Sequence, residues 1–173
     1  MSDFPITKLY ELGRLSQAGD EVTISPTTDD LARIAQWAGV QSIEMFTAKI
    51  DLQKISPTRF KLNASLEADI VQACVVTLEP LRAHITRSFM RDLLLAQAPQ
   101  HAVKEIELTP VDDDGREEID SLRYDLAVPV LEEFALAIDP YPRAPGVEFE
   151  PPADEADSPE HPFAALKSLK KTP

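Results

Sequence analysis

Across the middle of the chain, apolar and polar positions alternate with a period of two, the pattern of strands with one buried face. The clearest run is RFKLNASLEADIV. Phe60, Leu62, Ala64, Leu66, Ala68 and Ile70 alternate there with Arg59, Lys61, Asn63, Ser65, Glu67 and Asp69. Before it, IEMFTAKIDLQKI alternates through Phe46, Ala48, Ile50 and Leu52, while Ile43 and Met45 have the opposite parity. A bulge near residues 45–46 reconciles the two. SPT at residues 56–58 is a turn signal, so the two runs are expected to form an antiparallel hairpin. LRAHITRSFM reads as a further strand, with Leu81, Ala83, Ile85 and Phe89 on one parity, and ITKLYEL and DEVTIS are shorter candidates.

Two segments change to the helical period. TTDDLARIAQWAG offers Thr27 or Thr28 as N-cap and Asp29 and Asp30 in the first turn. Leu31, Ile34, Ala35 and Ala38 form its stripe, and Gly39 closes it. Within YDLAVPVLEEFALAID, residues Val130, Leu131, Phe134, Ala135 and Ile138 share a face, and Pro129 is tolerable near a first turn. The intervening AQAPQHAVKEIELTPVDDDGREE reads as an acidic loop over residues 96–118. Seven prolines fall between Pro140 and Pro162, so a packed core is not expected to continue there. The last segment, HPFAALKSLKK, places Phe163, Leu166 and Leu169 at helical spacing, either for docking a partner or for packing on the chain's own sheet.

These elements predict an α+β fold. An antiparallel sheet of long strands from residues 3–92 packs with helices over 27–39 and 125–139 in one domain, residues 1–145. A Pro-rich tail over 146–173 follows, with a short amphipathic segment at 162–171. The length of 173 residues and the 43% apolar content suit one such domain with a tail.

Charge narrows the function. The net charge is −13, and it is uneven: residues 93–160 hold 18 acids against 4 bases, while residues 1–92 hold 12 against 10. An acidic middle repels phosphate backbones and can attract a basic protein, unless it serves only to solubilise a flexible loop. No run approaches the roughly 20 apolar residues of a membrane span. The opening MSDFPITKLYELG has no signal-peptide pattern, and a single cysteine suits a reducing compartment, so a cytoplasmic location is expected, with no membrane and no DNA partner.

Candidate chemistry is sparse. A structural zinc site needs about four closely spaced Cys or His ligands. Cys74, His84, His101 and His161 show no such pairing, so neither metal nor another cofactor is expected. DDDG at residues 112–115 lacks the ligand spacing of a calcium hand. Cys74 and His84 could form a thiolate–imidazole pair if they met, which leaves a cysteine-dependent hydrolase as the enzymatic alternative. The plainer reading makes Cys74 an inert core residue sharing an inward face with Val76, Ile70 and Ala68, with Pro80 starting the next strand. Ser88 lacks elbow glycines, and no glycine loop to cradle phosphate is present, so the chain is read as a non-enzyme. Arg82, His84, Arg87 and Arg91 cluster along one run with Phe89, and Lys54, Arg59 and Lys61 flank the hairpin turn. On a single sheet face these cations would make a possible RNA contact; otherwise they are solvated strand edges.

Three segments carry a resemblance. IVQACVVTLEPL at residues 70–81 follows a long alternating strand. YDLAVPVLEEFALAIDPYPRAPG spans residues 124–146, and HPFAALKSLK spans 161–170. In this order they resemble the bacterial YceD proteins, the large ribosomal RNA subunit (23S) accumulation proteins, and the last is similar to the closing segment of alphaproteobacterial members. The resemblance covers about residues 3 to 171. The family's usual motif is C-x-x-C followed by an acidic or apolar residue and Pro. Cys74, Glu79 and Pro80 fit it as structural positions, but Thr77 stands where the second cysteine would be. A metal role is therefore not carried over, and the family supplies no established catalytic residues. The resemblance implies a cytoplasmic factor for large-subunit biogenesis, with a large-subunit ribosomal protein or precursor ribosomal RNA as its partner. A generic acidic adaptor outside ribosome assembly is the remaining alternative.

Overall fold

The computed structural model describes residues 4–96 and 116–147. Among these residues the main sheet has five strands in the order β2 (Asp20–Ile24), β3 (Ser42–Lys54), β4 (Arg59–Ala73), β5 (Pro80–Leu95) and β6 (Arg116–Ile119). All neighbours are antiparallel except β5 and β6, which run parallel. β1 (Leu9–Glu11) and β7 (Arg123–Asp125) form a separate antiparallel ribbon. Helices α1 (Thr28–Ala38) and α2 (Ala127–Ala137) complete an α+β fold.

The period-two run over β4 does what its pattern predicts. All six of its even apolar residues, from Phe60 to Ile70, are buried. Antiparallel pairing sets them beside Ile43, Phe46, Ala48, Ile50 and Leu52 of β3, so one face of the sheet becomes the core. The parity change in β3 is absorbed by a register shift between Ile43 and Met45, one residue before the expected place. Both helices contribute to this core through Ile34, Ala35, Val130, Leu131 and Phe134. The Phe46 and Phe134 rings meet edge to face at 5.2 Å and 80°. Ala135, read from periodicity as part of that apolar face, is exposed instead.

Local chemistry sets the element ends. Thr27 and Asp30 form a reciprocal capping box at the start of α1, and Gly39 closes the helix at a left-handed φ of 70°. Arg33 also pairs with Asp30, and the Thr27 contacts hold that carboxyl below the usual carboxylate range. Gly19, at φ 81°, lies where an added Cβ would stand 2.7 Å from the Leu52 carbonyl oxygen. Asp125 accepts from the N–H groups of Lys8 (2.7 Å) and Ala127 (3.1 Å), tying the N-terminal segment to the entry of α2.

Three expectations shift. ITKLYEL yields only the three-residue β1, which leaves the main sheet to pair with β7. β5 runs on to Leu95, where the Leu95 N–H donates to the Thr58 carbonyl at the hairpin turn (2.8 Å). Of the acidic loop expected over 96–118, Arg116, Glu117 and Glu118 are strand residues of β6, and 97–115 lie outside the described residues. Period-two reasoning missed β6 because only Ile119 of its four residues is buried. No helix among the described residues is long and apolar enough to cross a membrane.

Truncating Phe134, fully buried against Phe46, removes the ring that links α2 to β3. Phe134→Ala is expected to cost about 3–5 kcal/mol in urea unfolding, against about 1 kcal/mol for Thr27→Ala at the helix cap.

Candidate functional site

Two places on the fold collect the residues singled out in the sequence. The first is the turn between β4 and β5. Cys74 lies just past the end of β4 and begins a turn, so it does not share a strand face with Val76; its side chain is buried, and Val76 is half-buried. The Cys74 N–H donates to the Glu79 carbonyl (2.8 Å), and the Leu78 N–H donates to the Cys74 carbonyl (2.9 Å). Closing this loop puts Leu78 at a left-handed φ of 63°, which costs a branched residue roughly 1–2 kcal/mol. Pro80 then opens β5, as expected.

This turn docks on the chain that leaves α2. The Gln72 Nε2 donates to the Asp139 carbonyl (2.9 Å), and the Val75 N–H donates to the Pro142 carbonyl (2.9 Å). Two segments some 65 residues apart thus meet through backbone carbonyls, and periodicity carries no signal for such contacts. The thiol is part of the junction. Hydrogen bonds from the Thr77 side chain, then from the Thr77, Ala144 and Val76 backbone N–H groups, pull Cys74 from its ordinary 9.0 down to about 6, against the desolvation of a buried thiol. Thr77, standing where a second cysteine would, serves as a donor to the first: its N–H lies 3.5 Å from Cys74 Sγ.

The second place is β5 with its four predicted RNA-contact cations, and here the expectation of one patch fails. Along a strand, residues of opposite parity point to opposite faces. Arg82 and His84 lie opposite Val71 and Asp69 on the open face, while Arg87 and Arg91 lie opposite Leu66 and Leu62 on the core side. Three of the four are also neutralised. Arg82 Nη2 reaches Glu44 at 2.9 Å, and Arg91 Nη2 reaches Glu133 at 3.1 Å and Glu132 at 3.4 Å. His84 Nδ1 lies 2.7 Å from Asp69, with Glu67 3.7 Å from Nε2. The Asp69 hydrogen bond, aided by both carboxylate charges, holds the imidazole protonated above its ordinary range. Arg87 is exposed and makes no ion pair among the described residues. At the hairpin turn, Arg59 is likewise held by Asp92 at 2.6 Å.

The same geometry separates Cys74 from His84. His84 pairs across with Asp69, five residues before Cys74, which is about 15 Å along a strand. The thiolate–imidazole pair required by a cysteine hydrolase is not formed. Among the described residues no His, Cys, Asp and Glu cluster fits a metal ion. Phe163, Leu166 and Leu169 lie outside the described residues.

Because the chain has one cysteine, thiolate absorbance reports Cys74 alone. Titration of the folded protein is expected to show a midpoint near 6, moved upward in Thr77→Val. Since folding lowers this pKa, the thiolate's contribution to stability is full above pH 9.0 and lost as pH falls through about 6. The unfolding midpoint of the native chain should therefore rise relative to Cys74→Ser across that interval, and parallel curves would refute the assignment.

Searches of curated proteins and of solved structures returned no match. A scan against family models did: residues 62–170 match the model described as large ribosomal RNA subunit accumulation protein YceD. The match begins within β4 and takes in the Cys74 turn, β5, β6, β7, α2 and the segment that receives the turn. The match does not extend to residue 3, where the resemblance in sequence begins: β1 to β3 and α1 lie outside the matched span. With well over half of its length matched, the chain belongs to the YceD family of large ribosomal RNA subunit accumulation proteins.

Proposed function

We propose that the protein acts in the cytoplasm as a non-enzymatic factor for large-subunit biogenesis, supporting 23S ribosomal RNA accumulation by holding a basic ribosomal protein. Family membership supports the pathway. One observation favours a protein partner over RNA: carboxylates of the chain already engage Arg82, His84 and Arg91, the cations that would otherwise meet phosphate. The acids are in excess, with a net charge of −13. Residues 105–120 and 132–160 are the proposed attractive surface; of these, Glu117 and Glu118 stand on β6, while Glu132 and Glu133 on α2 share the single Arg91 and keep an excess of negative charge. An acidic surface of this kind steers a basic partner at long range and is screened by salt.

Pull-down of the tagged full chain at moderate salt tests the reading. Large-subunit ribosomal proteins should remain bound after nuclease treatment and be released as salt is raised, and the deletion strain should accumulate less 23S ribosomal RNA. Loss of all ribosomal components on nuclease treatment would overturn the protein-partner reading in favour of RNA contact through Arg82, Arg87 and Arg91.

The segment holding Phe163, Leu166 and Leu169 is proposed as a second docking element. Removing residues 161–173 should leave the melting temperature within about 2 °C of the full chain while reducing partner recovery. A larger fall in melting temperature would assign those residues to packing on their own domain.

A further inference from the structure

The Cys74 turn presents apolar side chains that the described residues leave uncovered. Leu78 is 74% exposed, Val75 44% and Tyr141 72%. The Val75 N–H donates to the Pro142 carbonyl at 2.9 Å, so the turn and the segment holding Tyr141 lie side by side. Leu78 also stands at a left-handed φ of 63°. Glycine would adopt that backbone freely, and a polar side chain would suit the exposure. A leucine suits neither; it fits a position where an apolar contact offsets both costs.

The chain itself supplies a segment to cover them. The Val147 N–H donates to the Ala144 carbonyl (3.2 Å), so the described chain ends in a turn just past the Pro142 contact. Beyond it, residues 148–162 can span up to about 45 Å, ample for a return to the Cys74 turn. Phe163, Leu166 and Leu169 follow at helical spacing. A tether of this kind keeps its end at roughly millimolar effective concentration. A contact too weak to join two separate molecules is then populated within one, which favours this segment over a second copy. Charge agrees: Glu79 and Asp139 flank the exposed residues and form no ion pair among the described residues, with Arg143 as a nearby cation. Residues 161–173 bring Lys167, Lys170 and Lys171 and no acid. The family match over residues 62–170 takes in both the turn and this segment.

We propose that Phe163, Leu166 and Leu169 rest on the surface formed by Val75, Leu78 and Tyr141 when no partner holds them. The contact lies outside the core, and a segment that opens locally adds little to the global unfolding midpoint. The docking element thus has a resting place on its own domain, from which a partner must displace it. Displacement rests on the docking reading above; the contact itself is tested without any partner, so the two can fail separately.

The test is disulfide trapping in the full chain carrying Cys74→Ser, Leu78→Cys and Leu166→Cys, with oxidised glutathione as the oxidant. A bond within one chain should form at least about tenfold faster than with Met90→Cys in place of Leu78→Cys. Met90 is also exposed, at 57%, but stands toward the far end of β5. Tyr141→Cys, outside the strained turn, should match Leu78→Cys and serves in its place if that variant unfolds. In the unaltered chain, deuterium uptake over residues 75–79 should be slower than after removal of residues 161–173. Equal trapping at positions 78 and 90, or equal uptake with and without residues 161–173, would overturn the proposal. So would bonds formed only between chains, which would mean that a second copy covers the turn.

Discussion

The rest of the structure depends on the pairing of β4 along both of its sides. It is the central strand of the sheet, bonded to β3 from Phe60 to Val71 and to β5 along its entire length. A strand so placed satisfies its backbone only in one register, and its six even apolar side chains can be buried only on one face. That face then decides where Phe46, Ile50 and Leu52 must stand and where both helices must cover the sheet. The other face keeps Lys49, Asp51, Ser65, Glu67, Thr86 and Ser88 exposed and has no covering layer among the described residues.

The Cys74 turn shows how a short motif becomes architecture. Its backbone closes on itself through Cys74, Leu78 and Glu79, and it is clamped to residues 139–144 by Gln72, Val75 and the thiol. The family match covers both partners of that clamp. A left-handed leucine and an acidic thiol are both unfavourable in isolation, and both persist because the surrounding hydrogen bonds define the turn. The site is therefore a junction between sheet and helix exit, with the imidazole of His84 committed to Asp69 elsewhere on the strand.

Some of what the structure corrected was already legible. Arg82 and His84 differ in parity from Arg87 and Arg91, so period-two reasoning alone separates them onto two faces once the segment is read as a strand. Their carboxylate partners were not legible in the same way. Asp69 becomes the partner of His84 only through the β4–β5 register, and Glu44 reaches Arg82 from beyond the intervening strand. Glu132 and Glu133 meet Arg91 only because α2 packs over β5. An isolated run of cations reads as a nucleic-acid surface, and the same cations beside carboxylates read as braces.

The sequence by itself determined the α+β class, the β3–β4 hairpin, the capped α1 and the excess of acid, because local periodicity, turn chemistry and composition act over a few residues. The motifs around Cys74 and α2 were enough to indicate the family. Only the tertiary structure decided that β1 leaves the main sheet for β7 and that β6 joins β5 in parallel. It also decided that the Cys74 turn meets the Pro142 segment, and that the β5 cations are divided between two faces, three of the four with carboxylate partners. Each of these depends on contacts between residues far apart in the chain, whose geometry is settled by backbone hydrogen bonding and core packing together.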